Sequence, residues 1–119
     1  MTVLLFVAAS LAGGAGAAVR YAVDRAVARR AGARFPWGIF LVNITGSFAL
    51  GVVVTLLPEA VFIVGAGFLG GYTTFSTAML DTVALWKDGN QRAAVFNSIA
   101  MLLVGLAAAG AGLALGSAL

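Results

Sequence analysis

Asn43, Thr45 and Ser47 lie in the middle of one long apolar stretch, and Thr73, Thr74, Ser76 and Thr77 in the middle of another. An amide brings two N–H donors and a carbonyl, and a hydroxyl brings one donor and two lone pairs. Such a set can stand in for the water around a small ion. Asn43 and Ser47 are four residues apart and share a helix face, which Gly46 and Leu50 continue. A buried amide is costly unless partnered, and two uses are open to Asn43: an interhelical hydrogen bond that serves assembly, or an NH2 group aimed into a pore. The second set belongs to residues 67–77, which hold three glycines and four aliphatic hydroxyls in eleven positions. Glycine weakens a helix and Ser or Thr offers its backbone other hydrogen bonds, so the helix is expected to break or loosen near Gly70 and Gly71. Carbonyls freed there can hold a cation.

The rest of the chain must position these groups inside a membrane. Of 119 residues, 62% are hydrophobic and only 9% charged, and the mean hydropathy is +1.08. That is too apolar for a soluble domain of this length. With no cysteine and no histidine, disulfides, thiol chemistry, imidazole proton relays and the usual zinc or haem ligand sets are excluded. The net charge of +3 comes from basic residues in loops, which speaks to membrane topology rather than to nucleic acid.

Four spans are expected, at about residues 2–21, 37–57, 61–86 and 93–115, forming one transmembrane domain over 1–119. The first lacks a basic stretch before its apolar run and is read as part of the mature protein rather than a signal peptide. Its Gly13, Gly14 and Gly16 allow close helix packing. Arg20, near its end, either snorkels to the headgroups or places a cation at a vestibule. Residues 24–34 read as a short juxtamembrane helix or loop. Asp81 is read as interfacial, near the end of the third span. The first and third loops carry Arg25, Arg29, Arg30, Arg34, Lys87 and Arg92, whereas the Pro58-Glu59 turn and both termini carry no Lys or Arg. The bias places loops one and three in the cytoplasm and both termini outside.

Gly13-Gly14 through Arg20-Tyr21, then Val42-Asn43-Ile44-Thr45-Gly46-Ser47-Phe48, then Gly67 to Thr77 with Gly-Gly-Tyr-Thr-Thr-Phe-Ser-Thr as its most specific part, resemble the Fluc (CrcB) family of fluoride channels across essentially the whole chain. The resemblance implies an all-α integral membrane protein of the cell membrane, with its third helix broken mid-membrane, forming an antiparallel dimer with two narrow fluoride pores. It implies a sodium ion at the dimer interface, held by the Gly70 and Thr73 carbonyls. It places Asn43 in the pore, Phe75 as the first pore phenylalanine, and Thr74, Ser76 and Thr77 in or beside the fluoride path. Arg20 takes the vestibule position. Phe75 can meet an anion through its positive ring edge.

The residues agree with a passive fluoride path rather than an enzyme. A selective path must replace the water of fluoride with donors while staying narrow, and no span has a basic residue at its centre to serve as a general anion site. Two other classes fit the residues less well. A proton-coupled exporter of cationic drugs needs a carboxylate deep in the first span, and residues 2–19 contain none. A structural or holin-like protein has no need of Asn43 together with the hydroxyl motif. The chain departs from the family pattern where the second pore phenylalanine falls on Ala78. It departs again in the fourth span, where the polar track becomes Asn97, Met101 and Gly105. With the one-sided loop charge, these departures suggest one half of a heterodimer whose partner is a paralogue inserted the opposite way.

Overall fold

The computed structural model describes residues 2–119, and every described element is helical. Helix α1 spans Val3–Ala31, and α2 spans Trp37–Leu56. A third span, Pro58–Lys87, is assembled from a 3-10 turn at Pro58–Ala60, a wide π-type helix at Val61–Leu69, the single turn α3 at Gly70–Tyr72, and α4 at Ser76–Lys87. Helix α5 spans Gln91–Ala118. All four spans are long and apolar enough to cross a membrane. At 1.5 Å per residue, the 29 residues of α1 reach about 43 Å, the thickness of a bilayer with its headgroups.

The helix ends follow from local chemistry. Thr2 Oγ1 accepts from the Leu5 N–H at 3.1 Å to cap α1. At the other end Gly32 takes φ 82°, a left-handed conformation suited to glycine, while its N–H bonds to Ala28 O at 2.9 Å. Residues 24–31, expected as a separate juxtamembrane helix or loop, therefore continue α1. No proline or glycine interrupts them, and Arg29 and Arg30 suit the negative end of the helix dipole. Asn90 Oδ1 caps α5 by accepting from the Ala93 N–H at 3.3 Å.

In lipid the apolar effect does not drive helices together, so close packing and hydrogen bonds must do so. The chain meets this with glycine seams. Helix α1 lies against the third span so closely that a Cβ on Gly71 would strike the Gly13 backbone. Helix α2 lies against α5 in the same way, with Gly112 set on the Phe48 carbonyl. Phe35, Trp37, Phe40 and Phe96 form an aromatic cluster joining the end of loop one to the start of α5. Phe40 and Phe96 stack there at 6.2 Å. The apolar side chains left outside, among them Leu4, Leu80, Leu102 and Leu106, suit a lipid-facing surface.

Candidate functional site

The regular backbone ladder of the third span ends at Thr73, whose N–H reaches Leu69 O at 2.9 Å. Its hydroxyl donates to the same carbonyl at 2.9 Å, and Thr73 itself is extended, with φ −80° and ψ 160°. The helical turn was expected to fail near Gly70 and Gly71. The structure keeps both glycines helical and places the non-helical residues at 73–75 instead. The reason is a competing partner. The Thr74 N–H, which would otherwise close a turn on the Gly70 carbonyl, donates to Asn43 Oδ1 at 2.8 Å. Asn43 Nδ2 returns a bond to Thr74 O at 2.8 Å. The side-chain amide thus mimics a neighbouring peptide and satisfies both backbone groups of one residue. Below it, Thr74 Oγ1 accepts from the Thr77 N–H at 3.2 Å, and the Phe75 carbonyl accepts from the Met79 N–H at 3.0 Å to start α4.

Two further contacts hold this segment. A Cβ on Gly46 would overlap the Thr73 methyl group, so only glycine lets α2 approach there. The Thr45 and Tyr72 hydroxyls share a hydrogen bond of 2.9 Å, and the Tyr72 ring stacks on Phe68.

Around the Asn43–Thr74 pair lies an open groove of about 380 Å³. Asn43, Ser47, Thr74, Phe75, Ser98 and Met101 provide its polar and polarizable lining, with Gly70 and Thr73 also on its wall. Phe75 is 78% exposed, presenting its ring rather than packing it away. Ala78, at 1% exposure, forms part of the floor. Ser47 and Ser98 return their hydroxyl hydrogens to Asn43 O and Val95 O, in line with the usual habit of such residues in a span. Thr74 differs: its oxygen accepts from Thr77, and no bond from its own O–H is formed among the described residues. No Lys or Arg lines the groove.

Of the residues singled out in the sequence, the structure brings Asn43, Gly70, Thr73, Thr74 and Phe75 to one groove. Ser76 is exposed and Thr77 half-buried, both outside that lining. Arg20 is half-buried, with Nη1 3.5 Å from Thr73 O. Asn97 is fully buried outside the groove lining, donating to Thr82 Oγ1 at 2.9 Å, and its Oδ1 has no partner among the described residues. Two roles were not read from the sequence. The Thr74-x-x-Thr77 cap carries the Ser/Thr spacing of a helix start and was legible in principle. The bond from Asn43 Nδ2 to Met101 Sδ, at 3.2 Å across 58 residues, left no local signal.

Among the described residues no group of His, Asp or Glu could hold a metal ion. Backbone oxygen is the ligand available, and hard cations such as sodium accept it. Diversion of the Thr74 N–H strips the Gly70 carbonyl of its helical donor, and among the described residues the Thr73 carbonyl meets only the distant Arg20. Both carbonyls thus lack a regular helical donor among the described residues.

Four membrane-length spans, three of which line a groove with no basic side chain, define a small multi-pass α-helical membrane protein. The chain belongs to the CrcB family: the model described as "CrcB-like protein, Camphor Resistance (CrcB)" matches residues 7–113. It is 44% identical, across 98% of its length and 89% of the relative, to the protein named Fluoride-specific ion channel FluC 1 of Leifsonia xyli subsp. xyli. A relative in Mycobacterium bovis, Fluoride-specific ion channel FluC 2, is 45% identical across 92% of this chain and 88% of its own. Fluoride-specific ion channel FluC 1 of Symbiobacterium thermophilum is 46% identical across 89% and 92%.

Proposed function

We propose that this chain is a channel subunit, not an enzyme, that passes fluoride out of the cytoplasm down its electrochemical gradient and so relieves fluoride toxicity. The observation that carries the reading is the amide-clamped segment 73–75 opening onto a groove whose lining includes Asn43 and Thr74 and no basic residue. It occurs in a chain 44% identical to a named fluoride-specific channel. Fluoride holds its water tightly, and the groove offers replacements: the Thr74 hydroxyl, the edge of the exposed Phe75 ring and, on displacing the Met101 sulfur, an Asn43 N–H. Chloride, larger and more weakly bound to donors, gains less from so narrow a set.

The finer parts of the reading follow the same logic. The third span acts as a helix broken at membrane depth, supported by the extended Thr73 between α3 and α4. Such backbone is tolerated only where protein or a water-filled path receives it, which argues for a second subunit over the exposed groove. That subunit is antiparallel in the proposed assembly. Gly70 and Thr73 of this chain would hold a sodium ion there, and the ion would supply a fixed positive charge that joins the subunits. Arg20 sits beside this carbonyl set as the vestibule cation, and Ser76 and Thr77 lie beside the path. Loops one and three face the cytoplasm of a plasma-membrane protein.

A heterodimer is favoured over a homodimer by two observations. Six basic residues fall between spans one and two or three and four and none in the second turn or the termini, which opposes dual insertion, and Ala78 is small and buried where a second ring would complete the pore. The test is fluoride efflux from liposomes holding this chain alone, then with a paralogue of the same genome, with chloride as control. Efflux only with the paralogue supports the heterodimer. Efflux from the chain alone, or C-terminal reporters in equal numbers on both sides, overturns it, and silence in both preparations overturns the channel itself.

A further inference from the structure

The Asn43 amide nitrogen has two acceptors within reach, and Thr74 fixes its orientation. Oδ1 faces the Thr74 N–H at 2.8 Å, so the nitrogen must face Thr74 O at 2.8 Å and Met101 Sδ at 3.2 Å. The last bond differs in kind from the others. A thioether sulfur is a weak acceptor, and it sits on an unbranched side chain with three rotatable bonds. Met101 also lines the groove, on α5, beside Asn43 and Thr74.

We propose that Met101 is a specificity-determining residue: its sulfur occupies the second N–H of Asn43 and yields it only to a strongly accepting anion. This rests on the fluoride-channel reading. An unpaired donor in apolar surroundings carries its full desolvation cost, and a weak sulfur bond lowers that cost without locking the donor. Fluoride, small and of high charge density, forms the stronger bond and displaces the thioether, which rotates aside within the groove. Chloride gains less by the exchange. The sulfur therefore sets a threshold that an anion must exceed, while the two bonds to Thr74 keep the amide in place throughout.

The test replaces methionine by selenomethionine in the reconstituted protein and follows the selenium resonances during titration with sodium fluoride or sodium chloride. Met79→Leu and M101L assign the signals. The resonance of residue 101 is expected to move with fluoride and stay fixed with chloride. M101L keeps the volume but removes the acceptor. Its fluoride flux at low fluoride is expected to rise about two- to fourfold, the lower part of the range for one hydrogen bond, and its preference over chloride to fall. Fluoride-selective flux with an unmoved selenium resonance, or M101L indistinguishable from wild type in rate and selectivity, overturns the role of Met101 alone. Absence of fluoride-selective flux from the wild-type protein, alone and with its paralogue, overturns the channel reading and this inference together.

Discussion

Asn43→Asp changes one NH2 group into an oxygen and leaves the shape of the side chain almost intact. The acceptor of the Thr74 N–H survives. The Thr74 carbonyl, 2.8 Å away, loses its donor and faces a second oxygen. A buried carbonyl left without its partner costs about 1–3 kcal/mol, and a carboxylate near the centre of a span adds about 2.5–3.5 kcal/mol on insertion scales. The first cost alone depletes the clamped segment about 5- to 150-fold. The charge acts on the anion as well. A carboxylate about 4 Å from fluoride, at an effective dielectric constant near 20, opposes it by about 4 kcal/mol. Fluoride efflux from liposomes at equal protein incorporation is expected to fall at least about 100-fold. Asn43→Ala separates the two effects, since it removes the clamp without adding a charge. Wild-type-like efflux from Asn43→Asp would refute both the clamp and the place of Asn43 in the path. Equal losses in the two variants would assign the effect to the clamp.

Gly71→Ala places a Cβ 2.7 Å from the Gly13 carbonyl carbon and 2.9 Å from its Cα, backbone that cannot swing aside; α1 must move away, at about 1–3 kcal/mol. Thermal unfolding in detergent reads that loss, and an unchanged midpoint would show that the seam is looser than described. Thr74→Val removes the acceptor of the Thr77 N–H, a cap worth about 0.5–2 kcal/mol, whereas Thr74→Ser retains it. Hydrogen exchange at the Thr77 amide should accelerate in the first variant only; equal exchange in both would mean that the cap contributes nothing. Asn97→Leu removes a buried carbonyl oxygen that has no partner, and Thr82 keeps its bond to Ala78 O, so stability is expected to hold or rise. Asn97→Asp, which buries a charge at the same place, should be the less stable of the pair, and the reverse order of melting would contradict this account.

The four helices were legible in the sequence because each is a long run of apolar residues bounded by charge, proline or glycine, and lipid permits a lone segment of that kind little else than a helix. The shared face of Asn43, Gly46, Ser47 and Leu50 was legible for a related reason: helical spacing is a local property, and all four line one groove. The regular turns end two to three residues beyond the glycines near which a break is expected. Glycine content pointed to Gly70 and Gly71, yet intrinsic propensity is weak, and one well-placed amide on another helix outweighs it.

The sequence by itself determined the class of protein, the number of spans, the excluded chemistries and the polar residues at membrane depth, since these depend on composition and short-range period. Only the tertiary structure decided what those residues do to one another. Asn43 meets Thr74 across 31 residues and Met101 across 58, while Asn97, equally polar in sequence, turns away to Thr82. A hydrogen bond requires an approach within about 3 Å, and such distances are set by how glycine seams let α1 and α2 close on the third span and α5 close on α2. No local window of sequence contains that sum of contacts.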